Sequence, residues 1–458
     1  MCTLKFTFVV LNFYNPIDPL LFFVQNRPKQ AKRPDNIRFI STVILLQPQQ
    51  TYIYIYIMKK SKLLGSSLII AGTTIGAGML ALPLASAGIG FSTSLIIMLT
   101  LWALMAFTAL LMVEIHQYAS KDATLHTLAK EILGDKGKWI ATFAMLFLFY
   151  SLCAAYIAGG GAQFTHRLAE LTGIDVSGSM GTLLFTFIVA TVVTIGTATV
   201  DTVNRVLFAG KIIAMIMVLT FLAPNVTESY LLSMPLEQGL VVASIPVIFT
   251  SFGFHGSIPA IVNYLDGHTP SLRKAIVIGS AIPLIIYILW QLATLGVVSQ
   301  ANLVQNSGLS ALIRTLAQTA HQSGLSNMIG IFADLALLTS FLGVSLGLFE
   351  FMGDTLRKPG APKSRLRASI VTYTPPLVFA LFYPQGFIMA LGYAAIALAV
   401  LAIFLPIAMV TKVRQQNTSV HYYQVVGGKP ALLFTGAVGF IIVTAQLLIT
   451  AGILPALG

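Results

Sequence analysis

Charge is what this chain of 458 residues has least of: 9% of it is Asp, Glu, Lys or Arg, against roughly 25% in an ordinary soluble domain. A water-facing surface needs far more, so a soluble fold is excluded. Acidic residues are the scarcer sign, 15 against 27 basic. An integral-membrane enzyme would need catalytic carboxylates, histidines or metal ligands gathered near one membrane face. The seven histidines are instead scattered and show no metal-binding spacing such as HExxH. Cysteine is nearly missing, and Cys2 with Cys153 makes neither a disulfide framework nor a zinc site. The glycine-rich run GTTIGAGM lacks the Lys-Ser or Lys-Thr ending of a phosphate-binding loop, so no ATP-driven mechanism is suggested. No cofactor or metal is expected. What the chain does have is 56% hydrophobic residues and a mean hydropathy of +0.85, the composition of an all-α, multispan membrane protein.

A window of about 19 residues finds eleven apolar segments after Met58: 64–88, 92–114, 139–162, 181–199, 206–223, 240–262, 275–298, 327–350, 368–384, 386–410 and 431–452. With Lys59, Lys60 and Lys62 inside, the start and the inside connections hold nineteen basic residues when Lys211, near the inner end of the fifth segment, is counted with them, and the outside ones hold only Arg167 and Arg314. The positive-inside rule therefore sets the N-terminus inside and the C-terminus outside. The net charge of +12 is thus a topology signal. Scattered over short connections, it forms no single basic face for nucleic acid.

Residues 1–57 read as a disordered extension or a mis-assigned start, and residues 58–458 as an eleven-span transmembrane domain. Prolines break up the first part, neither of its apolar runs has the form of a signal peptide, and Met58-Lys59-Lys60-Ser61-Lys62 leads directly into the first span. An interfacial anchor over residues 39–57 is the alternative.

The first span carries Gly72, Gly76 and Gly78 beside Thr73 and Thr74. Each glycine costs about 1 kcal/mol in a helix interior relative to alanine, so the segment is expected to unwind. Close helix packing through Gly72 and Gly76 is the other reading. The sixth span repeats the pattern with Pro246, Gly253, His255, Gly256 and Pro259 around Thr250, Ser251 and Ser257. Two interrupted spans five apart point to a secondary transporter of inverted repeats, spans one to five and six to ten, with its substrate site at the midplane. The eleventh span is an addition. Helix N-termini suit a carboxylate and freed carbonyls suit an ammonium or cation, and an amino acid carries both. The expected substrate site is Gly72, Thr73, Thr74, Gly76, Gly78, Thr250, Ser251, Phe252, Gly253 and His255. A channel would show a continuous polar stripe or a filter instead.

The stretches AGTTIGAGMLALPLASAGIGF (71–91), IPVIFTSFGFHGSIPAIVNYLDG (245–267), FADLALLTSFLGVSLGLFEF (332–351) and YPQGFIMALGYAAIALAVLA (383–402) resemble the bacterial hydroxy and aromatic amino acid permease family. The resemblance runs from Met58 to the end. It implies a LeuT-like 5+5 fold with broken helices 1 and 6, in the bacterial cytoplasmic membrane, and import of tyrosine by proton symport. Partners would be tyrosine, protons and the bilayer, with no obligatory protein partner evident. Tryptophan-carrying relatives tend to have asparagine where Asp334 stands, which tilts the expected substrate toward tyrosine. A general aromatic or tryptophan permease, or a sodium-coupled symporter, remains the alternative.

Few charges lie within the spans, and each needs a reason, since insertion at the bilayer centre costs on the order of 3 kcal/mol. Glu114 and Glu350 sit near the inner boundary and read as structural. Lys211 lies one to two turns inside the fifth span, where snorkelling to the interface is one reading. The other, carried by the resemblance, places its ammonium between spans one, five and eight, gaining and losing the coupled proton. Asp334 is the deeper acid and either relays a proton or holds a neighbouring helix. Thr339 and Ser340 stand where sodium-coupled members of the superfold place oxygen ligands, and a lysine ammonium there would take the sodium position. These four, Lys211, Asp334, Thr339 and Ser340, are the expected ion-coupling residues. Tyr150, Cys153, Tyr156 and Gln163 in the third span form either an aromatic wall or ordinary packing.

Overall fold

A computed structural model describes residues 48–173, 175–235, 239–305, 308–319, 323–357, 364–416 and 422–457. These residues are helical throughout their ordered elements, with no strand among them. Residues 1–47 lie outside the described set, and with them most of the segment set apart by sequence; residues 48–57 form the first turns of α1. The chain divides into Met1–Lys62 and Leu63–Gly458, and the second unit holds everything that follows.

The opening span is split. Helix α1 (Pro48–Thr74) stops at the glycines, α2 (Gly78–Ser86) restarts after three residues, and from Ser61 onward the two are bent by 54°. Next come α3 (Gly90–His116), a short α4 (Leu125–Leu133) capped by the Thr124 hydroxyl, and α5 (Asp135–Thr172). At 38 residues and 1.5 Å each, α5 is about 57 Å long, well beyond the roughly 30 Å of a bilayer core. Helices α6 (Gly178–Ile195) and α7 (Thr197–Leu222) follow, then a short α8 (Glu228–Leu232).

The second interruption separates α9 (Leu240–Ser251) from α10 (Ile258–Tyr264), with Phe252, Gly253 and Phe254 outside helical geometry and a 3-10 turn at His255–Ser257. Helix α11 (Thr269–Val297) is capped by His268 and precedes two short helices, α12 (Gln300–Gln305) and α13 (Leu309–Thr319). The chain ends through α14 (Ser323–Thr355), α15 (Arg365–Phe382), α16 (Phe387–Ala399), α17 (Leu405–Arg414) and α18 (Gly428–Thr450). A π turn at Val400–Phe404 joins α16 to α17. Pro406 lies just beyond it and cannot donate back to the carbonyl of residue 402, which favours the wider turn.

Among the described residues nine helices are long and apolar enough to cross a membrane, and the bent pair α1–α2 makes a tenth. The expected ninth segment forms α15, whose eighteen residues include Arg365 and Arg367 near its start and Pro375 and Pro376 inside. Those two arginines and prolines lower its hydropathy, and it stands outside that count. Helix α14 packs against α5 and α7, α16 against α5 and α9, and α2 against α9, so the two interrupted spans meet at the centre of the bundle.

Candidate transport site

The crossing of the two interruptions is built from glycine and serine. A Cβ placed on Gly78 would lie 3.1 Å from Ser251 Oγ, and one on Gly76 would lie 2.8 Å from Ser340 Oγ. Only hydrogen at these positions lets α2 approach α9 and α14 so closely. Ser251 Oγ is 3.1 Å from the Gly78 carbonyl and 3.0 Å from Val247 O. The first amide of the restarting helix, Ala77 N–H, donates to Ser340 Oγ at 2.8 Å, while that hydroxyl donates to Ala336 O. A helix N-terminus leaves such donors unsatisfied, and Ser340 meets one of them.

The freed carbonyls at the other ends of the breaks are met by two side chains. Tyr287 of α11 is fully buried, with its hydroxyl 2.6 Å from Thr74 O and 2.9 Å from Ser251 O. One phenol thereby ties the C-terminal end of α1 to that of α9. Its ring packs edge-on against Phe252, with centroids 5.3 Å apart. Lys211 of α7 is 2% exposed, donates to Ile75 O at 2.9 Å and to Thr339 Oγ1 at 3.2 Å, and lies 4.6 Å from the centre of the Phe208 ring. A snorkelling lysine exposes its head; Lys211 turns inward, so that reading of it is corrected. Its ammonium bridges α1, α7 and α14.

Other expected residues fall around this centre in different ways. Gly72 faces the Phe208 ring, Thr73 is exposed and closes on Ile69 O, and Thr74 takes part through its carbonyl. Thr250 Oγ1 lies between Pro246 O and Leu391 O of α16, at 2.9 and 3.0 Å, and Gly253 sits against Leu398. His255 is 2% exposed, and its Nε2 shares a 2.9 Å hydrogen bond with Thr108 Oγ1 of α3. Of the third-span group, Tyr150 donates to Val371 O, Gln163 donates to Ser310, and Cys153 and Tyr156 are packed inside.

Asp334 does not join Lys211. It accepts a hydrogen bond from Arg167 Nε at 3.2 Å, with both side chains partly exposed, and Arg167 also holds Glu170. Arg167, expected in a connection, is part of the overlong α5, and it lies over Gly330, where any Cβ would meet its guanidinium. Glu114 is fully buried and takes a two-point contact from Arg414, Nε at 2.6 Å and Nη2 at 2.8 Å, plus the Val425 amide. These contacts pin the segment before α18 onto the end of α3.

Sequence reasoning missed Tyr287 and Gln291. Both lie on α11 four residues apart, which puts them on one face, and Gln291 donates to Ser86 Oγ at 2.6 Å and to Leu82 O at 3.3 Å. Two hydrogen-bonding side chains at that spacing in an apolar span were the available signal.

The model of the tryptophan/tyrosine permease family matches residues 59–446. Tyrosine-specific transport system 1 of Haemophilus influenzae is 43% identical over 86% of this chain and 99% of its own length. The tryptophan-specific transport protein of the same organism is 33% identical over 85% of this chain and 96% of its own. Glutamine transporter 2 of Aliivibrio fischeri is 32% identical over 84% of this chain and 99% of its own.

Proposed function

The chain belongs to the tryptophan/tyrosine permease family, a multi-pass transport protein of the bacterial inner membrane, and we propose that it imports tyrosine by proton symport. Tyrosine is favoured by the 43% identity to a tyrosine-specific system against 33% to a tryptophan-specific one. The reading uses a 5+5 inverted repeat of LeuT type, with α1–α2 and α9–α10 as the interrupted members, α15 as a ninth span and α18 as an eleventh. The N-terminus is inside and the C-terminus outside, as the basic connections require.

In this reading tyrosine lies between the breaks at Gly72–Gly78 and Thr250–Gly256. The N-terminus of α2 presents the positive end of its dipole to the carboxylate. Carbonyls at the C-terminal ends of α1 and α9 face the ammonium. The surrounding Phe252, Phe254 and Tyr287 are buried and must part to admit a second aromatic ring.

One observation carries the coupling proposal: Lys211 Nζ stands between a backbone carbonyl of the broken α1 and the Thr339 hydroxyl of α14. A cation held there links the two elements. A neutral amine still has two hydrogens for these two oxygens but loses the charge that strengthens both bonds, so the link between α1 and α14 weakens. Alternating access then exposes the amine first to one aqueous side and then to the other, carrying the coupled proton with the substrate. Sodium is disfavoured because the ammonium already fills the position between these oxygens. The test is Lys211→Gln in proteoliposomes. Exchange of labelled for unlabelled tyrosine should persist while accumulation driven by a pH gradient is lost. Retained pH-driven accumulation would place the proton route elsewhere.

A further inference from the structure

A cavity of about 580 Å³ lies behind α9, away from the crossing of the breaks, between α16, α18, the α15–α16 connection and the chain's last residues. That volume is typical of a site for a drug-sized molecule. Its chemistry is distinctive for what it excludes: none of its fifteen lining residues is Asp, Glu, Lys, Arg or His. A zwitterionic amino acid or a phosphate headgroup would bring charge with nothing to pair it. Rings and polarisable or aliphatic walls dominate, among them Phe382, Tyr383, Tyr393, Met389 and Val247.

Gln446 of α18 gives the cavity a polar anchor. Its side chain is 3% exposed and lines the cavity. Its amide offers both a donor and an acceptor to a bound carbonyl or hydroxyl. Space for that amide is provided by Gly392 of α16, where any Cβ would collide with it. Leu391, next to Gly392, is the residue whose carbonyl accepts the Thr250 hydroxyl of α9. Val247 lines the cavity one turn before Ser251, which touches Gly78 at the crossing.

We propose that this cavity is a second ligand site, taking an uncharged aromatic amphiphile whose carbonyl or hydroxyl bonds Gln446 and whose body stacks on Tyr383 and Tyr393. An occupant wedges between α9 and α18 and restrains the half-helix that carries Thr250 and Ser251. Its effect on transport is therefore non-competitive with substrate.

The test uses the full chain in proteoliposomes and the uncharged photoprobe trifluoromethyl-diazirinyl benzyl alcohol, competed by excess N-benzylbenzamide and mapped by peptide mass spectrometry. The expected result is saturable labelling on peptides containing Met389 and Gln446. It should weaken about tenfold in Gln446→Leu and vanish in Ile449→Trp, which fills the cavity from α18 without touching the crossing. Labelling that does not saturate, or that is no stronger there than in the apolar groove between α3 and α18 lined by Leu99 and Phe434, would mean bilayer partition only and overturn the proposal. Unchanged labelling in both variants would also overturn it. Substrate exchange in the same vesicles should lose rate but not apparent affinity as the benzamide is added; a purely competitive pattern contradicts the site. The labelling requires no transport, so a failure of tyrosine import would leave this result standing by itself.

Discussion

Removing a single oxygen from Tyr287 should disturb the site more than any other change of that size. Tyr287→Phe keeps the ring against Phe252 and leaves the carbonyls of the buried Thr74 and Ser251 without the donor they share, at 2.6 and 2.9 Å. One hydroxyl hydrogen serves the two acceptors, so the loss is that of one buried hydrogen bond with its partner left unsatisfied, about 1–3 kcal/mol. If that energy holds α1 and α9 in the arrangement that binds substrate, apparent affinity weakens by about 5- to 150-fold, since 1.4 kcal/mol is tenfold. The assay is exchange of labelled tyrosine in proteoliposomes across a range of concentrations, with reconstituted protein quantified for each variant. An apparent affinity within twofold of the parent, at equal reconstitution, would refute the idea that this phenol organises the breaks.

Gly76→Leu and Gly253→Leu should each abolish uptake at normal membrane abundance, because even a Cβ at Gly76 would lie 2.8 Å from Ser340 Oγ and one at Gly253 lies 3.1 Å from Leu398; normal uptake in both would move the substrate elsewhere. Asp334→Asn should retain pH-driven accumulation, since Arg167 pairs with this acid and the effect expected is a loss of stability of about 0–1 kcal/mol for a partly exposed pair. Collapse of proton-driven uptake with exchange intact would make Asp334 the proton carrier. In competition assays tyrosine should clearly exceed phenylalanine, following the rule that a site bonding a hydroxyl rejects the analogue without it; equal competition by phenylalanine and tryptophan would indicate a general aromatic carrier.

The multispan helical class, the two interruptions and the small residues at their crossing were legible in the sequence because each leaves a local mark. Long apolar runs and clustered glycines need no knowledge of partners. Lys211 was legible as a charge out of place, but its direction was not, since snorkelling and inward burial begin from the same residue on the same helix. What decides between them is Ile75 O and Thr339 Oγ1, which come from 136 and 128 residues away. Asp334 shows the same limit. Its partner Arg167 was set in a connection because a window of about 19 residues trims α5, whose 38 residues run past the apolar stretch. The expected ninth span failed the hydropathy standard for a related reason: Arg365 and Arg367 are counted with α15 although Arg365 bonds Thr194 O at the end of α6. Tyr287 was overlooked because one tyrosine in an apolar span is ordinary, and only the fold shows that two broken helix ends converge on it.

The most direct measurement is uptake of labelled tyrosine by the unmodified protein in proteoliposomes, with an inward proton gradient imposed without sodium and, separately, an inward sodium gradient at equal pH on both sides. With Lys211 standing between Ile75 O and Thr339 Oγ1, the proton gradient alone should drive accumulation above equilibrium and the sodium gradient should not. Accumulation driven by sodium alone, or tyrosine entry that never exceeds equilibrium under either gradient, would contradict proton symport by this chain.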